Sequence, residues 1–161
     1  MTNDLILRLS PKFCLKPELI AAFIEVESGG SSYRGRYEPK YSYLSDVNAH
    51  AKRCMITPET ETIFQKTSWG LMQVMGAVAR ERGFIDDLPK LTDPYFGIFY
   101  GCAHLAWLIK SYGYSGDNLI SAYNAGSPRK GPLKYSNQDY VDKVNKWYAY
   151  FQTNGVHSDE T

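Results

Sequence analysis

The feature that most constrains the fold is a long apolar segment with helix signals at both ends. Asp93 and Pro94 are typical of a helix N-cap and first turn, and Gly113 is typical of a helix end. Apolar side chains recur between these signals at helical spacing. The predicted core-facing residues are Tyr95, Phe99, Cys102, Ala106 and Ile109. The segment therefore predicts a core helix against which the rest of the chain packs.

Other segments show the same period, and each has its own start or stop signal. A helix begins at Pro17 and ends at Gly29, another follows Gly70 and ends at Gly83, and the last begins after Asn137. Shorter helices are predicted over 58–65 and from about 117 to 125, whereas 33–41 is typical of a loop or short strand. The pattern predicts a mainly α fold with at least five helices and at most a small β element.

The length and charge limit the possible function classes. The 161 residues fit one domain, predicted over 1–161, with 153–161 as a frayed polar tail. A net charge of +1 gives no reason to expect nucleic-acid binding, which needs clustered positive charge. The sequence contains neither a secretion signal nor a run of about 18–20 apolar residues, so no membrane partner is expected and synthesis in the cytoplasm is predicted.

The cysteines and histidines predict neither a disulfide framework nor a metal site. Cys14, Cys54 and Cys102 are too few and too scattered, and Cys14 and Cys102 are predicted to be buried apolar residues. The three histidines are far apart in the sequence and have no ligand spacing. No metal or other cofactor is predicted. The 13 Tyr, 7 Phe and 3 Trp have two interpretations, a tyrosine-rich core or a groove that stacks against sugars.

One carboxyl residue interrupts the apolar pattern. Ile20, Phe23 and Ile24 form the buried stripe of the helix that begins at Pro17, and Glu27 occupies the next position of that stripe. Burial at the C-terminal end of a helix raises the pKa of a carboxyl group, so Glu27 is a candidate general acid. The alternative is that Glu27 turns towards water at the helix end.

Three short segments add chemical context to Glu27. They are Ile-Glu-Val-Glu-Ser-Gly-Gly at 24–30, Trp-Gly-Leu-Met-Gln-Val-Met at 69–75 and Ala-Tyr-Asn-Ala-Gly at 122–126. Together, in this order, they resemble the SLT-type lytic transglycosylases of the lysozyme-like superfamily, and in particular the single-domain forms of phages and prophages. The resemblance implies an α+β lysozyme-like fold with a substrate groove across the middle. It also implies an enzyme, expected to be a monomer, that binds the glycan strands of peptidoglycan.

The resemblance also implies roles for individual residues. It places the catalytic glutamate at Glu27 and substrate-binding or positioning residues at Ser28, Gly70, Met72, Gln73, Tyr123 and Asn124. The tyrosine hydroxyl is expected near the catalytic carboxyl, and core packing is the alternative for Met72. Glu27 would protonate the β-1,4 linkage between N-acetylmuramic acid and N-acetylglucosamine. It would then remove a proton from the muramoyl C6 hydroxyl, which forms a 1,6-anhydro ring. The enzyme would reach the cell wall after release, virion delivery or another route of export.

Two other functions remain open at the sequence level. In an inverting, goose-type-like muramidase, Glu38 would be the second carboxylate, whereas pairing with Arg34 or Arg36 would make Glu38 structural or substrate-orienting. Asp46 and Glu61 are weaker candidates for the same role. The other possibility is a non-catalytic wall-binding or virion structural protein.

A basic loop follows the third motif. It contains Arg129, Lys130 and Lys134, and its two interpretations are a solvated face or a contact with the anionic peptides or lactyl carboxylates of peptidoglycan.

Overall fold

A computed structural model describes residues 2–158 as a mainly helical protein with one small sheet. The helices in this range are α1 (Thr2–Leu9), α2 (Pro17–Ser28), α3 (Val47–Cys54), α4 (Pro58–Gln65), α5 (Gly76–Glu81), α6 (Pro94–Tyr112), α7 (Gly116–Ala125) and α8 (Gln138–Asn154). The strands are β1 (Gly35–Tyr37), β2 (Thr67–Trp69) and β3 (Val74–Met75), and short 3-10 turns cover Pro11–Phe13 and Leu88–Thr92. The mainly α class with a small β element is confirmed.

Helix α6 lies at the centre of the core, as its apolar sequence predicts, and its ends are those that the capping residues predict. The Asp93 side chain accepts a hydrogen bond from the backbone N–H of Tyr95, and Gly113 ends the helix in the left-handed conformation. Helices α1, α5 and α7 contact α6, and α2 packs along most of α8. Among residues 2–158, no helix combines the length and the apolar character that a membrane span requires.

The predicted core stripe of α6 is partly confirmed, since Cys102 is buried and Tyr95 and Phe99 pack against the core. Of its five residues only Cys102 is fully buried, whereas Ile109 is 39% exposed. The buried positions include Gly97, Gly101 and Leu105 instead. Because α6 is apolar on all sides, periodicity does not identify the inner face. Close packing does, since a Cβ atom at Gly101 would lie 2.8 Å from the Cβ atom of Met72.

The sheet lies beside α4 and α5. Its order is β1-β2-β3 and both pairings are antiparallel, with Tyr37 opposite Thr67 and Ser68 opposite Met75. The predicted helix after Gly70 begins later than expected, because Gly70 and Gln73 have φ values of 70° and 47°. These left-handed residues form a turn between β2 and β3, so only Gly76–Glu81 is helical.

Three other predictions about the backbone and burial need correction. Helices α1 and α3 were not predicted, although Asp46 caps α3 by accepting from the backbone N–H of Ala49 at 3.2 Å. Cys14 is exposed rather than buried, because it ends a 3-10 turn at the surface. In the predicted polar tail, α8 continues to Asn154 and Val156 packs against the core, while 159–161 lie outside the described residues.

Candidate active site

A surface groove crosses the molecule between the sheet and the helical core. It consists of two adjoining cavities of about 930 Å³ and about 430 Å³, here called the large arm and the small arm. The two arms share Glu27, Arg36, Gln73 and Asn124 as lining residues. Glu27 therefore lies at the junction of the groove.

Glu27 lies in the last turn of α2, where the helix reaches the groove. Burial raises the pKa of its carboxyl to about 7, the direction that its place on an apolar stripe predicts. A hydrogen bond from Tyr140 and the positive charge of Arg36 act in the opposite direction and lower that pKa. The carboxyl therefore holds its proton up to about neutral pH and can also be ionised there.

The hydroxyl group that contacts Glu27 belongs to Tyr140 of α8. It donates a hydrogen bond to Oε1 of Glu27 at 2.5 Å, which fixes the orientation of the carboxyl group. Burial and the nearby carboxylate raise the pKa of Tyr140 well above its ordinary value, so the phenol remains a donor. This contact joins two residues from the two helices that pack most extensively on each other, α2 and α8.

Tyr123 lines the small arm together with Glu27, but its hydroxyl binds elsewhere. It donates to the backbone carbonyl of Met72 at 2.8 Å, and its ring contacts Phe23 and His104. The hydrogen bond that the resemblance led us to expect from Tyr123 is thus made by Tyr140. Tyr123 instead ties α7 to the turn between β2 and β3.

Three of the predicted site residues lie behind the groove wall. Met72 is fully buried against Gly101, so core packing is the observed role of its side chain. Gly70 is buried, and a Cβ atom there would collide with the carbonyl oxygen of Leu91. Ser28 is fully buried, and its hydroxyl donates to a carbonyl one turn back in α2 at 3.1 Å. These residues support the backbone that carries the lining side chains.

Gln73 lines both arms and has most of its hydrogen-bonding capacity occupied. Its Nε2 group donates to the carbonyl oxygens of Arg34 at 3.1 Å and Gly70 at 2.9 Å. Its Oε1 atom accepts from the hydroxyl of Ser68 at 3.0 Å. One lone pair of Oε1 therefore remains for a ligand. The amide also connects the segment before β1 to the β2–β3 turn, which stabilises the sheet side of the groove.

Asn124 also lines both arms and is exposed. Its Oδ1 atom accepts from Nδ2 of Asn137 at 3.0 Å, while Oδ1 of Asn137 accepts from the hydroxyl of Ser121 at 2.7 Å. This network leaves the Nδ2 group of Asn124 free to donate to a ligand.

The additional carboxyl candidates separate into one groove residue and two structural residues. Glu38 lines the small arm and forms an ion pair with Arg36, whose Nε lies 2.6 Å from Oε1. Asp46 caps α3 and Glu61 is fully buried in an ion pair with Arg80, so neither lines the groove. The suggestion that Asp46 or Glu61 could act as a second catalytic carboxylate is therefore wrong.

The family comparison covers most of the chain. A family model described as the transglycosylase SLT domain matches residues 4–146 of the 161-residue chain. The chain belongs to the transglycosylase SLT domain family. No curated protein matches the chain. Members of this family are peptidoglycan lytic transglycosylases, so the protein is an enzyme whose substrate is peptidoglycan.

Several lining residues of this SLT domain were not predicted from the sequence, Tyr140 and His104 among them. Tyr140 lies in the last predicted helix, and nothing local indicates that its hydroxyl reaches a residue 113 positions away. His104 lines the small arm, and burial together with the charge of Arg82 lowers its pKa to about 4. Within residues 2–158, no three His, Cys, Asp or Glu residues form a group that could hold a metal ion.

Proposed function

We propose that this SLT domain cleaves the β-1,4 bond between N-acetylmuramic acid and N-acetylglucosamine and releases a 1,6-anhydromuramoyl product. Glu27 supplies the proton to the glycosidic oxygen, and the bond from that oxygen to the muramoyl C1 breaks. The same carboxylate then takes the proton of the C6 hydroxyl, whose oxygen bonds to C1. No water is consumed. The observation that carries this proposal is the largely buried Glu27 at the junction of the groove, with a pKa of about 7.

The surroundings of Glu27 support both steps. Burial keeps the carboxyl protonated at the start, as a general acid requires. After the proton is transferred, the hydroxyl of Tyr140 and the guanidinium of Arg36 stabilise the carboxylate. A group whose pKa is near neutral can serve in turn as acid and as base, because neither form is strongly disfavoured.

The contacts of Glu38 favour this reaction over inverting hydrolysis. An inverting enzyme needs a second carboxylate that is free to take a proton from water. Glu38 is 38% exposed and paired with Arg36, so it is held by a guanidinium group rather than directed at a water site. We infer that Glu38 orients Arg36, and through it the substrate.

Mass spectrometry of fragments released from purified peptidoglycan tests the proposal. We expect fragments that end in 1,6-anhydromuramic acid, each lighter by one water than a hydrolytic fragment. Glu27→Gln should lower the rate by about 10²–10⁴-fold because the proton donor is lost. Glu25→Gln, on the same helix but outside the groove, should retain the wild-type rate and is the matched control.

Two outcomes would contradict the proposal. Fragments with ordinary reducing ends would indicate hydrolysis, and loss of activity in Glu38→Gln would then identify Glu38 as the base. Undiminished cleavage by a folded Glu27→Gln variant would exclude Glu27 as the acid.

A further inference from the structure

The two arms of the groove differ in charge. Arg34, Lys134 and Lys143 line the large arm and are exposed. No ion pair involves any of these three cations among the described residues 2–158. Arg36, which lines both arms, is by contrast paired with Glu38 of the small arm. The large arm therefore has an excess of positive charge in a chain whose net charge is only +1.

Few negative charges offset these cations. Among the described residues, the carboxyl groups that line the large arm are those of Glu27 and Asp139. Glu27 holds its proton up to about neutral pH, because burial raises its pKa to about 7. Asp139 is exposed and lies one turn before Lys143 on α8, yet the two side chains form no ion pair. One exposed aspartate thus faces three unpaired cations.

The cations come from three separate parts of the chain. Arg34 precedes β1, Lys134 lies in the loop closed by the bridge between Lys130 and Tyr135, and Lys143 lies on α8. They line a cavity about twice the volume of the small arm. The large arm therefore has space for a group beside the sugar ring, with positive charge from three separate segments of the chain. Arg129 and Lys130 of the same basic loop do not line the groove.

We propose that the large arm binds the carboxylate groups of the peptide stem that the muramoyl residue carries. The inference rests on the proposed function, since it assumes a glycan strand in the groove. Sugar rings and acetamido groups are uncharged, so they give unpaired lysine and arginine side chains no ionic partner. A stem attached through the lactyl group extends from the ring and ends in carboxylates. Arg34, Lys134 and Lys143 are thus specificity residues for strands that carry stems.

The test compares three glycan substrates, all free of phosphate-bearing wall polymers. The first carries intact stems, and the second has its stem carboxylates converted to amides. The third has its stems removed and the lactyl carboxylates that this exposes converted to amides. For the wild type we expect kcat/KM to be about tenfold higher on the intact strands, the sum of three modest exposed ion pairs. The preference should shrink between about 0.05 M and 0.5 M salt, because exposed charges are screened.

The triple variant Arg34→Gln, Lys134→Gln and Lys143→Gln should bring the intact-to-amidated ratio close to one. The Arg34 change leaves in place the backbone carbonyl that accepts from Gln73. Lys146→Gln is the matched control, since Lys146 is exposed on the same helix, one turn beyond Lys143 and outside both arms. It should keep the wild-type ratio. Binding of labelled strands to Glu27→Gln, measured by fluorescence anisotropy, should also be tighter for intact strands than for amidated or stem-free strands. This variant is used so that the strands are not cleaved during the measurement.

The outcomes separate this inference from the proposed function. Cleavage of all three substrates at equal rates, or a preference that survives in the folded triple variant, overturns the stem site only. If soluble poly(glycerol phosphate) inhibits cleavage and the rate does not depend on the stems, the stem site is overturned and the large arm binds a phosphate polymer instead. If the wild type releases no anhydro fragments from any of the three substrates, the proposed function fails instead.

Discussion

Replacing Tyr140 with phenylalanine tests how the groove controls its carboxyl group. The change removes one hydroxyl and leaves the ring in place between α2 and α8. In the wild type this hydroxyl donates to Oε1 of Glu27 at 2.5 Å and lowers the pKa of Glu27 against the effect of burial. A hydrogen bond to a charged group contributes about 1.5–3 kcal/mol, and one pKa unit corresponds to about 1.4 kcal/mol. We therefore expect the pKa of Glu27 to rise from about 7 by about one to two units.

The expected result is a displaced pH profile with a lower maximum. Because the proposed reaction begins with a protonated Glu27, kcat/KM of the wild type should decrease above about pH 7. In Tyr140→Phe the decrease should occur about one to two units higher, since the proton is held more tightly. The maximum kcat should fall about 10- to 100-fold, because the carboxyl loses its fixed orientation and its carboxylate loses a donor.

Initial rates of anhydro-fragment release, measured between about pH 5 and pH 9, would show both effects. Tyr150→Phe is the control, because Tyr150 lies on the same helix, is 51% exposed and does not contact Glu27. Its alkaline limb should match that of the wild type. An unchanged alkaline limb in a Tyr140→Phe protein with a wild-type circular dichroism spectrum would refute the argument that this hydroxyl sets the pKa of Glu27.

Three further predictions concern stability. Because the pKa of Glu27 is raised in the folded state, the folded protein keeps a proton that the unfolded chain loses above about pH 4.5. The free energy of unfolding should therefore fall by roughly 3 kcal/mol as the pH rises from about 4.5 to about 7. Urea titrations at pH values on both sides of this range should show the decrease in the wild type and not in Glu27→Gln. Gly101→Ala should lower the free energy of unfolding by about 1–3 kcal/mol, because the new Cβ atom overlaps Met72; an unchanged melting temperature would mean that the contact relaxes freely. Glu61→Gln should lower the free energy of unfolding, measured by denaturant titration, by about 3–5 kcal/mol, because it leaves the positive charge of the buried Arg80 uncompensated. At temperatures where the variant is folded, it should still cleave peptidoglycan.

The parts of the fold that sequence predicted are those encoded by local signals. Helix α2 begins at Pro17 and is capped by Gly29, and α6 lies between Asp93 and Gly113, because capping residues and left-handed glycines act within one turn of the chain. Glu27 could be recognised for the same reason, since a carboxyl on the apolar face of a helix is visible from periodicity alone.

The parts that sequence missed depend on contacts between distant segments. Gln73 adopts a left-handed conformation that its residue type does not indicate, and its amide bridges to the carbonyl of Arg34, 39 residues away. Tyr140 and Glu27 are 113 residues apart. Two tyrosines, at 123 and 140, line the groove near Glu27, and only their placement shows which hydroxyl reaches the carboxyl group.

The arrangement around Glu27 explains how one carboxyl group could serve two opposite steps. Burial alone would hold the proton too tightly for the group to act later as a base, and polar partners alone would leave it ionised at the start. Here burial raises the pKa, while Tyr140 and Arg36 limit the rise to about 7. A second unpaired carboxylate would raise it further, because like charges disfavour ionisation. Glu38 lines the small arm with Glu27, and its ion pair with Arg36 compensates its negative charge. Arg36 therefore has two contacts at the groove junction: its positive charge lowers the pKa of Glu27, and its guanidinium group pairs with Glu38.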